Sequence, residues 1–381
     1  MVICFDATAE AKRSLDSLLG TGQFRDTSEV ISMALINYEV LQRSVPGGGP
    51  SRGVVAFSPR ALKPGTPGVS PRAAKPAVLG PQLPELFFLN SSAAEGVKLA
   101  TVPMANPGGI ANLSPARWLF GQYNKFLPAK ATCRALLNLL RQRNGGVVLG
   151  EAIKTISQAA WELGDYLYEL DQQASRQRED AFAAAFPTTA SNGAGSRIRF
   201  ANQFVGDLRQ PKRAEGQPKE TKFNGFPSAL KFLVCSDGKN PLLELTTAGA
   251  EFALLRNPIF DAGQEQAACK FSAAEIEFLL AHITRSVPEE ASAYVSIIDA
   301  VAHGANTPDK VDEFLCKRFD LQVVANAENP DEITQTFLTT QRTGAISRMV
   351  DLGLLARKKA GLRVTYLATR TGERFQRQTK Q

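Results

Sequence analysis

The chain has 381 residues, which is enough for two or three domains with separate cores. Hydrophobic residues make up 44% of it and charged residues 21%, as in ordinary globular proteins, and the net charge of +7 permits a polyanionic partner. No apolar run approaches the roughly 20 residues of a membrane span, and the early Asp6 and Glu10 do not fit a signal peptide. We therefore expect a cytoplasmic protein without a membrane partner.

The sequence gives no positive case for catalysis. Its five cysteines are scattered without a CxxC pair, which disfavours zinc and redox sites and predicts reduced core residues. The two histidines lie outside any recognisable motif, and GxSxG, Walker, GxGxxG and HExxH patterns are absent. We expect no enzyme, no metal site and no cofactor.

The first 43 residues combine a short apolar strand, a helix, a glycine-containing turn and a second helix that opens with a capping box at residues 26–29. Across residues 1–43 this pattern resembles the ribbon-helix-helix repressor family. The resemblance implies an intertwined homodimer, because one such unit is too small to bury a core. The expected dimerisation residues are Ile3, Phe5, Val30, Ile31, Ala34 and Leu35.

The resemblance also implies a phosphate clamp at Thr27 and Ser28, where the second helix begins. In the family, alternate residues of the paired strands face the bases. Here those residues would be Val2 and Cys4, which lack the donor groups that read base edges. The module is therefore predicted chiefly to dimerise.

Residues 44–84 are rich in Pro, Gly and Ser, with five basic residues and no acid. Such a segment cannot bury enough apolar surface to order itself, so it predicts a disordered basic linker.

Residues 85–262 form the third predicted unit. Helical periodicity predicts helices at 127–146 and 147–171, with a charged continuation to residue 186, and SDG predicts a hairpin within 230–247. This order resembles a divergent winged helix with an insertion. Its candidate recognition helix, 157–171, is acidic and would oppose phosphate, so we expect it to pack on protein.

Residues 263–381 form the last predicted unit, which opens with a capping box at Ser272 and Glu275. Charge is unevenly distributed within it. Residues 286–332 carry ten acids and three bases, whereas residues 341–381 carry ten bases and two acids. The C-terminus is therefore expected to provide a basic binding face.

Residues 330–376, approximately, resemble a winged helix-turn-helix DNA-binding domain. The resemblance implies a recognition helix at 341–352, with Ile346, Met349 and Val350 in the core, and a wing at 355–367 around Gly361. Side chains that project from the helix or line the wing would contact DNA. They are Arg342, Thr343, Ser347, Arg348, Arg357, Lys358, Lys359 and Arg363.

Two segments share the frame T-x-x-G-x-x-F. Thr246, Gly249 and Phe252 form the first copy, and the second begins at Thr369. Each follows an apolar strand, so we interpret them as two copies of one architecture.

Together these features predict a mainly α fold with small β elements: a ribbon-helix-helix module, a flexible linker and two winged-helix-like domains. The leading hypothesis is a dimeric, nucleoid-associated double-stranded DNA-binding protein, such as a transcriptional regulator or a component of a plasmid, partition or defence system. The alternatives are a scaffold whose winged helices bind protein partners, or a plasmid replication initiator. An enzyme is the least favoured class.

Overall fold

The chain divides into two units, Met1–Ala74 and Lys75–Gln381. The computed structural model describes residues of the second unit: 82–89, 94–102, 112–143, 146–176, 180–191, 193–209, 222–261, 269–325, 332–361 and 363–379. The predicted ribbon-helix-helix module and nearly all of the predicted linker lie outside the described residues. The dimerisation residues and the phosphate clamp at Thr27 and Ser28 therefore stay predictions.

The described part is mainly helical with small sheets, which confirms the coarse fold class. Its helices are α1 (Phe126–Arg143), α2 (Leu149–Gln173), α3 (Gly193–Phe200), α4 (Phe226–Ala229), α5 (Thr247–Leu254), α6 (Pro258–Asp261), α7 (Ala273–Ser286), α8 (Pro288–Ala302), α9 (Pro308–Phe319), α10 (Gln335–Asp351) and α11 (Arg370–Thr379). Its strands are β1 (Val147–Val148), β2 (Asp207–Arg209), β3 (Lys222–Asn224), β4 (Leu233–Cys235), β5 (Leu242–Leu245), β6 (Val323–Val324), β7 (Ile333–Thr334), β8 (Leu355–Ala360) and β9 (Arg363–Ala368).

The first half of the described part is built around α1, whose buried face contacts α5, α2 and a three-stranded sheet. The strand order in that sheet is β1-β5-β4, and both pairs are antiparallel. The predicted hairpin is confirmed, since β4 and β5 pair across the SDG turn with Cys235 opposite Leu243. Helix α3 continues without a break into a π-helical segment, Ala201–Val205.

The predicted charged helix after Asp171 was wrong, because α2 ends at Gln173. The carboxylate of Asp171 accepts hydrogen bonds from the backbone N–H groups of Phe182 and Ala183, both at 2.9 Å. This buried carboxylate satisfies backbone donors that a continued helix would have bonded internally, and it holds the returning chain in turns.

The second half of the described part is centred on α8, which packs against α7, α9, α10 and α11. The predicted capping box is confirmed at the start of α7. Ser272 accepts from the N–H of Glu275, and the Glu275 carboxylate accepts from the N–H of Ser272. Strands β8 and β9 form a separate antiparallel hairpin whose strand β9 lies against α8.

The two T-x-x-G-x-x-F copies make the same hydrogen bonds. Thr246 accepts from the N–H of Gly249 and donates to the Lys231 carbonyl, at 3.1 and 2.7 Å. Thr369 accepts from the N–H of Gly372 and donates to the Gly353 carbonyl, at 3.1 and 2.5 Å. Each threonine therefore caps a helix and ties it to the turn before the preceding hairpin.

The turns before the two hairpins also match. Lys231 and Gly353 have φ angles of 60° and 67°, in the left-handed region. The following residue donates its N–H five positions back in both copies, from Phe232 to the Pro227 carbonyl and from Leu354 to the Met349 carbonyl. In both copies the second strand of the hairpin also bonds to a segment outside the hairpin. Leu243 pairs with Val147 of β1, and the N–H of Tyr366 donates to the Asn306 carbonyl at 2.8 Å.

The glycines of the two copies permit a close approach. A Cβ on Gly249 or Gly372 would overlap the carbonyl oxygen of Phe232 or Leu354. We expect Gly249→Ala and Gly372→Ala each to lower the free energy of unfolding by about 1–3 kcal/mol through overpacking. Gly150→Ala is the matched control, because Gly150 lies in α2 and a Cβ added there would meet no other atom within 4 Å. It should be neutral or stabilising in urea denaturation; equal losses at all three glycines would contradict the prediction.

A predicted domain boundary at 262/263 separates residues that share a buried interface. The Lys130 ammonium lies 2.9 Å from the Glu275 carboxylate, and both side chains are fully buried. Burial lowers the pKa of Lys130 to about 8, while Glu275 opposes that shift. Arg134 of α1 forms a bidentate ion pair with Asp261 beside them. These contacts join α1, α6 and α7 within one compact unit.

Candidate nucleic-acid interface

The predicted recognition helix is longer than its sequence pattern indicated. Helix α10 begins at Gln335 rather than near residue 341, because the Thr334 side chain caps it by accepting from the N–H of Phe337 at 3.2 Å. Ile346 and Met349 are buried as predicted, and Val350 is half-buried. The helix is positioned by α8 and α9 on one side and by the loop around Gly121 on the other.

The prediction that Arg342 projects outward was wrong. Its side chain is buried, and its Nε atom donates to the Asp312 carboxylate of α9 at 2.6 Å. One of its terminal nitrogens lies 3.4 Å from the Tyr366 hydroxyl of β9. Arg342 therefore joins α9, α10 and the hairpin, and in this arrangement it is not available to a ligand.

The prediction for Arg348 was also wrong, because this side chain is fully buried. Its guanidinium forms a bidentate ion pair with Glu290 of α8, and it also donates to the Tyr123 carbonyl. Phe226 lies against it, with 5.8 Å between the guanidinium carbon and the ring centroid. Burial alone would lower the pKa of Arg348, but the Glu290 carboxylate raises it above its ordinary value.

The exposed side of α10 carries hydroxyl groups instead of arginines. Positions three or four residues apart lie on one face of a helix. Here that face comprises Thr336, Thr340, Thr343 and Ser347, which we call the hydroxyl face. Thr336 and Thr343 are exposed, and Thr340 and Ser347 are half-buried. The spacing of these hydroxyls was visible in the sequence, but the arginines beside them drew the prediction away from Thr336 and Thr340.

The predicted basic hairpin is confirmed. Strands β8 and β9 pair from Leu355–Ala368 to Ala360–Arg363, and Gly361 turns the chain with a φ of 62°. Lys358 and Arg363 lie on the face opposite the buried Tyr366, whereas Arg357 and Lys359 share the face of Tyr366 and Val364. All four cationic side chains are exposed, and together they define the basic hairpin.

Helix α11 extends this positive surface. Its apolar anchor is Phe375, which is buried with its ring centroid 6.0 Å from that of Tyr294. The three arginines of the helix, Arg370, Arg374 and Arg377, are exposed. Residues 355–379 contain these arginines and the four hairpin cations but one acid, Glu373. The arginines were counted in the sequence as charge and were not predicted as site residues.

The acidic helix of the first half uses two of its carboxylates, those of Asp165 and Asp171, for structure. Asp165 of α2 accepts from the N–H and hydroxyl of Thr189, both at 2.7 Å. Asp171 holds the turn at Phe182, as described above. The predicted recognition helix at 157–171 is thus part of α2, and a different helix, α3 with the π segment, comes before the β4–β5 hairpin.

His282 and Cys133 serve as packing groups. His282 is buried against the rings of Phe232 and Phe278, and its Nε2 lies 2.7 Å from the Leu230 carbonyl. Cys133 is buried, whereas Cys269 is exposed and so departs from the predicted core position. Within the residues that the structure describes, no group of three or more His, Cys, Asp or Glu side chains could hold a metal ion.

Comparisons with known proteins leave this geometry to be interpreted from its own residues. No protein-family model matches the chain, and no curated protein or solved structure is significantly similar to it. The helices in the described ranges include none that is long and apolar enough to cross a membrane.

Proposed function

We propose that the chain is a double-stranded DNA-binding protein that contacts the duplex mainly through its C-terminal helix α10 and basic hairpin. The observation that carries this proposal is the juxtaposition of seven exposed Lys and Arg side chains with a helix whose free face is polar and short-chained. In this proposal α9, α10 and the β8–β9 hairpin form a winged helix-turn-helix domain.

The physical chemistry of duplex DNA fits this surface. A major groove admits an α-helix, and exposed Lys and Arg neutralise phosphates and release counterions. The cations of the basic hairpin and α11 would supply the phosphate contacts that fix position. The hydroxyls of Thr343 and Ser347 can donate to and accept from base edges, and the Thr343 methyl can contact a thymine methyl.

The two buried arginines receive a positioning role in this proposal. The Asp312–Arg342 and Glu290–Arg348 pairs tie α10 to α9 and α8. They would hold its hydroxyl face at a fixed angle to the basic hairpin. A rigidly placed helix can present short hydroxyl side chains to base edges in a major groove.

Dimerisation through residues 1–43 completes the proposal. Two copies on one duplex would favour a site with two half-sites related by symmetry. A nucleoid-associated regulator, or a component of a plasmid, partition or defence system, is the corresponding cellular role.

Fluorescence anisotropy tests the proposal when the chain is titrated into a labelled duplex of random sequence. We expect binding at low salt that weakens linearly on a plot of log affinity against log salt concentration. The absence of binding at low salt would contradict the proposal, as would an affinity independent of salt.

The hydroxyl face is expected to contribute preference among sequences. The variant Thr343→Ala with Ser347→Ala removes two neutral hydrogen-bonding groups, which together contribute roughly 2 kcal/mol, or about 30-fold in affinity for the preferred site. Affinity for random duplexes should change little, because the phosphate contacts remain. Selection of duplexes from a random pool by both proteins measures the difference. The double variant Thr284→Ala with Ser286→Ala, on α7, is the control and should select the same sequences as the unmodified chain.

The scaffold is the second candidate, and the exposed face of α2 favours it. Tyr168 is 40% exposed on this helix, which also exposes the acids Glu162 and Glu169. An exposed aromatic side chain among acids is a surface that a basic protein segment could bind. Tyr168→Ala would then release a stoichiometric partner from the purified complex while leaving duplex binding unchanged.

A further inference from the structure

Helix α3 and its π segment occupy, in the first half of the described part, the place that α10 occupies in the second. The π segment packs against α1 and α2, as α10 packs against α8 and α9. The route into the hairpin is the same in both halves, as the matched hydrogen bonds at Lys231 and Gly353 demonstrate. The first half differs in one respect, because the β2–β3 hairpin is inserted between the π segment and α4.

Aromatic packing fixes the orientation of this helix. Phe200 and Phe204 are buried, with 5.3 Å between their ring centroids, and they connect the Phe186 ring to the Phe226 ring. Phe226 in turn lies against the buried guanidinium of Arg348. The aromatic side of the helix is thus part of the same core that positions α10.

The opposite side of the helix carries side chains of the types that can hydrogen-bond base edges. Arg199 and Ile198 are exposed, and Asn202 and Gln203 are half-buried in the next turn. Arg197 has a different role, since it donates to Gln158 at 2.8 Å and lies over the Trp161 ring. We call Arg199, Asn202 and Gln203 the amide-arginine face. Arginine recognises guanine edges, and Asn or Gln recognises adenine edges.

The amide-arginine face and the hydroxyl face are joined by one loop. Gln203 donates to the side chain of the exposed Gln122 at 3.3 Å. The neighbouring Gly121 touches the backbone of α10 at Thr340 and Gly344. A Cβ added to Gly121 would overlap the Thr340 carbonyl oxygen, and a Cβ added to Gly344 would overlap the Gly121 carbonyl oxygen. The two helices therefore both contact residues 121–122, within one compact unit.

We propose that the amide-arginine face is a second duplex-binding surface, so that one chain contacts two neighbouring segments of the same DNA. This inference rests on the proposed function and extends it to the first half. Two further features support it. A π-helical turn inside an α-helix is uncommon and often marks a functional site. The acidic residues that argued against this half belong to α2 and are not part of this face: Asp165 and Asp171 accept hydrogen bonds from the N–H groups of Thr189 and Phe182, which follow α2, while Glu162 and Glu169 are exposed on α2 itself.

Footprinting of the full-length chain on its selected duplex tests this surface. The variant Arg199→Ala with Asn202→Ala should weaken binding roughly 10- to 100-fold, since it removes two base-reading side chains. It should also shorten the footprint by about one helical turn, or about 10 bp, at one end of the protected region. The matched control, Arg256→Ala with Gln172→Ala, removes one guanidinium and one amide from other exposed positions and should leave affinity and footprint unchanged.

The outcomes separate this inference from the proposed function. If the unmodified chain fails to bind any duplex, the proposed function itself fails. If the unmodified chain binds, and Lys358→Gln weakens binding while the Arg199 and Asn202 variant retains the full affinity and footprint, the second surface is refuted and the proposed function stands. Circular dichroism melting of the variant guards against a folding defect, and an unchanged melting temperature with a shortened footprint supports the inference.

Discussion

Replacing Lys358 and Arg363 together by glutamine is expected to weaken duplex binding roughly 100-fold at about 0.1 M monovalent salt. Both side chains are exposed on the outer face of the basic hairpin, where a neutral glutamine fits the strand without disturbing Tyr366 on the other face. Each neutralised phosphate contributes about 0.9 to the slope of log affinity against log salt concentration, so each lost contact is worth about tenfold at that salt.

The salt titration gives this prediction a second, independent readout. The slope should decrease by about two, while the affinity extrapolated to 1 M salt, where counterion release vanishes, should stay nearly the same. Charge reversal with Lys358→Glu and Arg363→Glu should abolish detectable binding, because each carboxylate then repels a phosphate.

A control must remove the same charge from elsewhere on the surface. Arg256, which follows the end of α5, and Arg285, which lies on α7, are both exposed. Replacing both by glutamine lowers the net charge by the same amount. If this control reduces the slope as much as the hairpin variant, binding follows the overall charge of the protein and the hairpin is not the contact surface.

Local patterns in the sequence predicted the parts of the fold that depend on neighbouring residues. The Ser272 capping box, the β4–β5 hairpin at SDG and the hairpin around Gly361 each involve groups that are close in sequence or that follow a turn signal. Such interactions are specified by residue type and spacing, so one sequence is sufficient to predict them.

The failed predictions depended on contacts between distant residues. Arg342 and Arg348 were predicted to face outward because a charged side chain is rarely buried without a partner. Their partners, Asp312 and Glu290, lie 30 and 58 residues earlier in the chain, within the acidic residues 286–332. The sequence showed an excess of acids there and nothing more. Periodicity along α10 did not reveal which acid meets which base.

The same limit applied to the first half of the described part. The apolar period of α2 predicted a helix, and its residues 157–171 were the candidate recognition helix. Helix α3 is short, contains two glycines, and ends in a π segment followed by an inserted hairpin. Its position against α1 and α2 follows from the aromatic packing of Phe200 and Phe204, and that packing brings together segments with no shared sequence pattern.

Arg348→Ala is expected to lower the free energy of unfolding by about 3–5 kcal/mol, the largest stability effect that we predict. The substitution leaves the Glu290 carboxylate fully buried without its bidentate partner and removes the donor to the Tyr123 carbonyl. Urea denaturation of the full-length chain measures the loss. Arg374→Ala, on the exposed side of α11, is the control and should change stability by less than about 0.5 kcal/mol.

A double variant then separates a structural role for Arg348 from a role in binding DNA. Replacing the pair by apolar residues, as in Glu290→Leu with Arg348→Met, removes both buried charges and should recover most of the stability, because the desolvation cost of the ion pair is removed as well. If Arg348 serves only to position α10, this double variant should bind duplex DNA within about threefold of the unmodified chain, since no phosphate contact is lost. A refolded double variant with a salt slope reduced by about one would instead place the guanidinium on a phosphate. It would contradict the buried arrangement and return Arg348 to the interface that its sequence position first suggested.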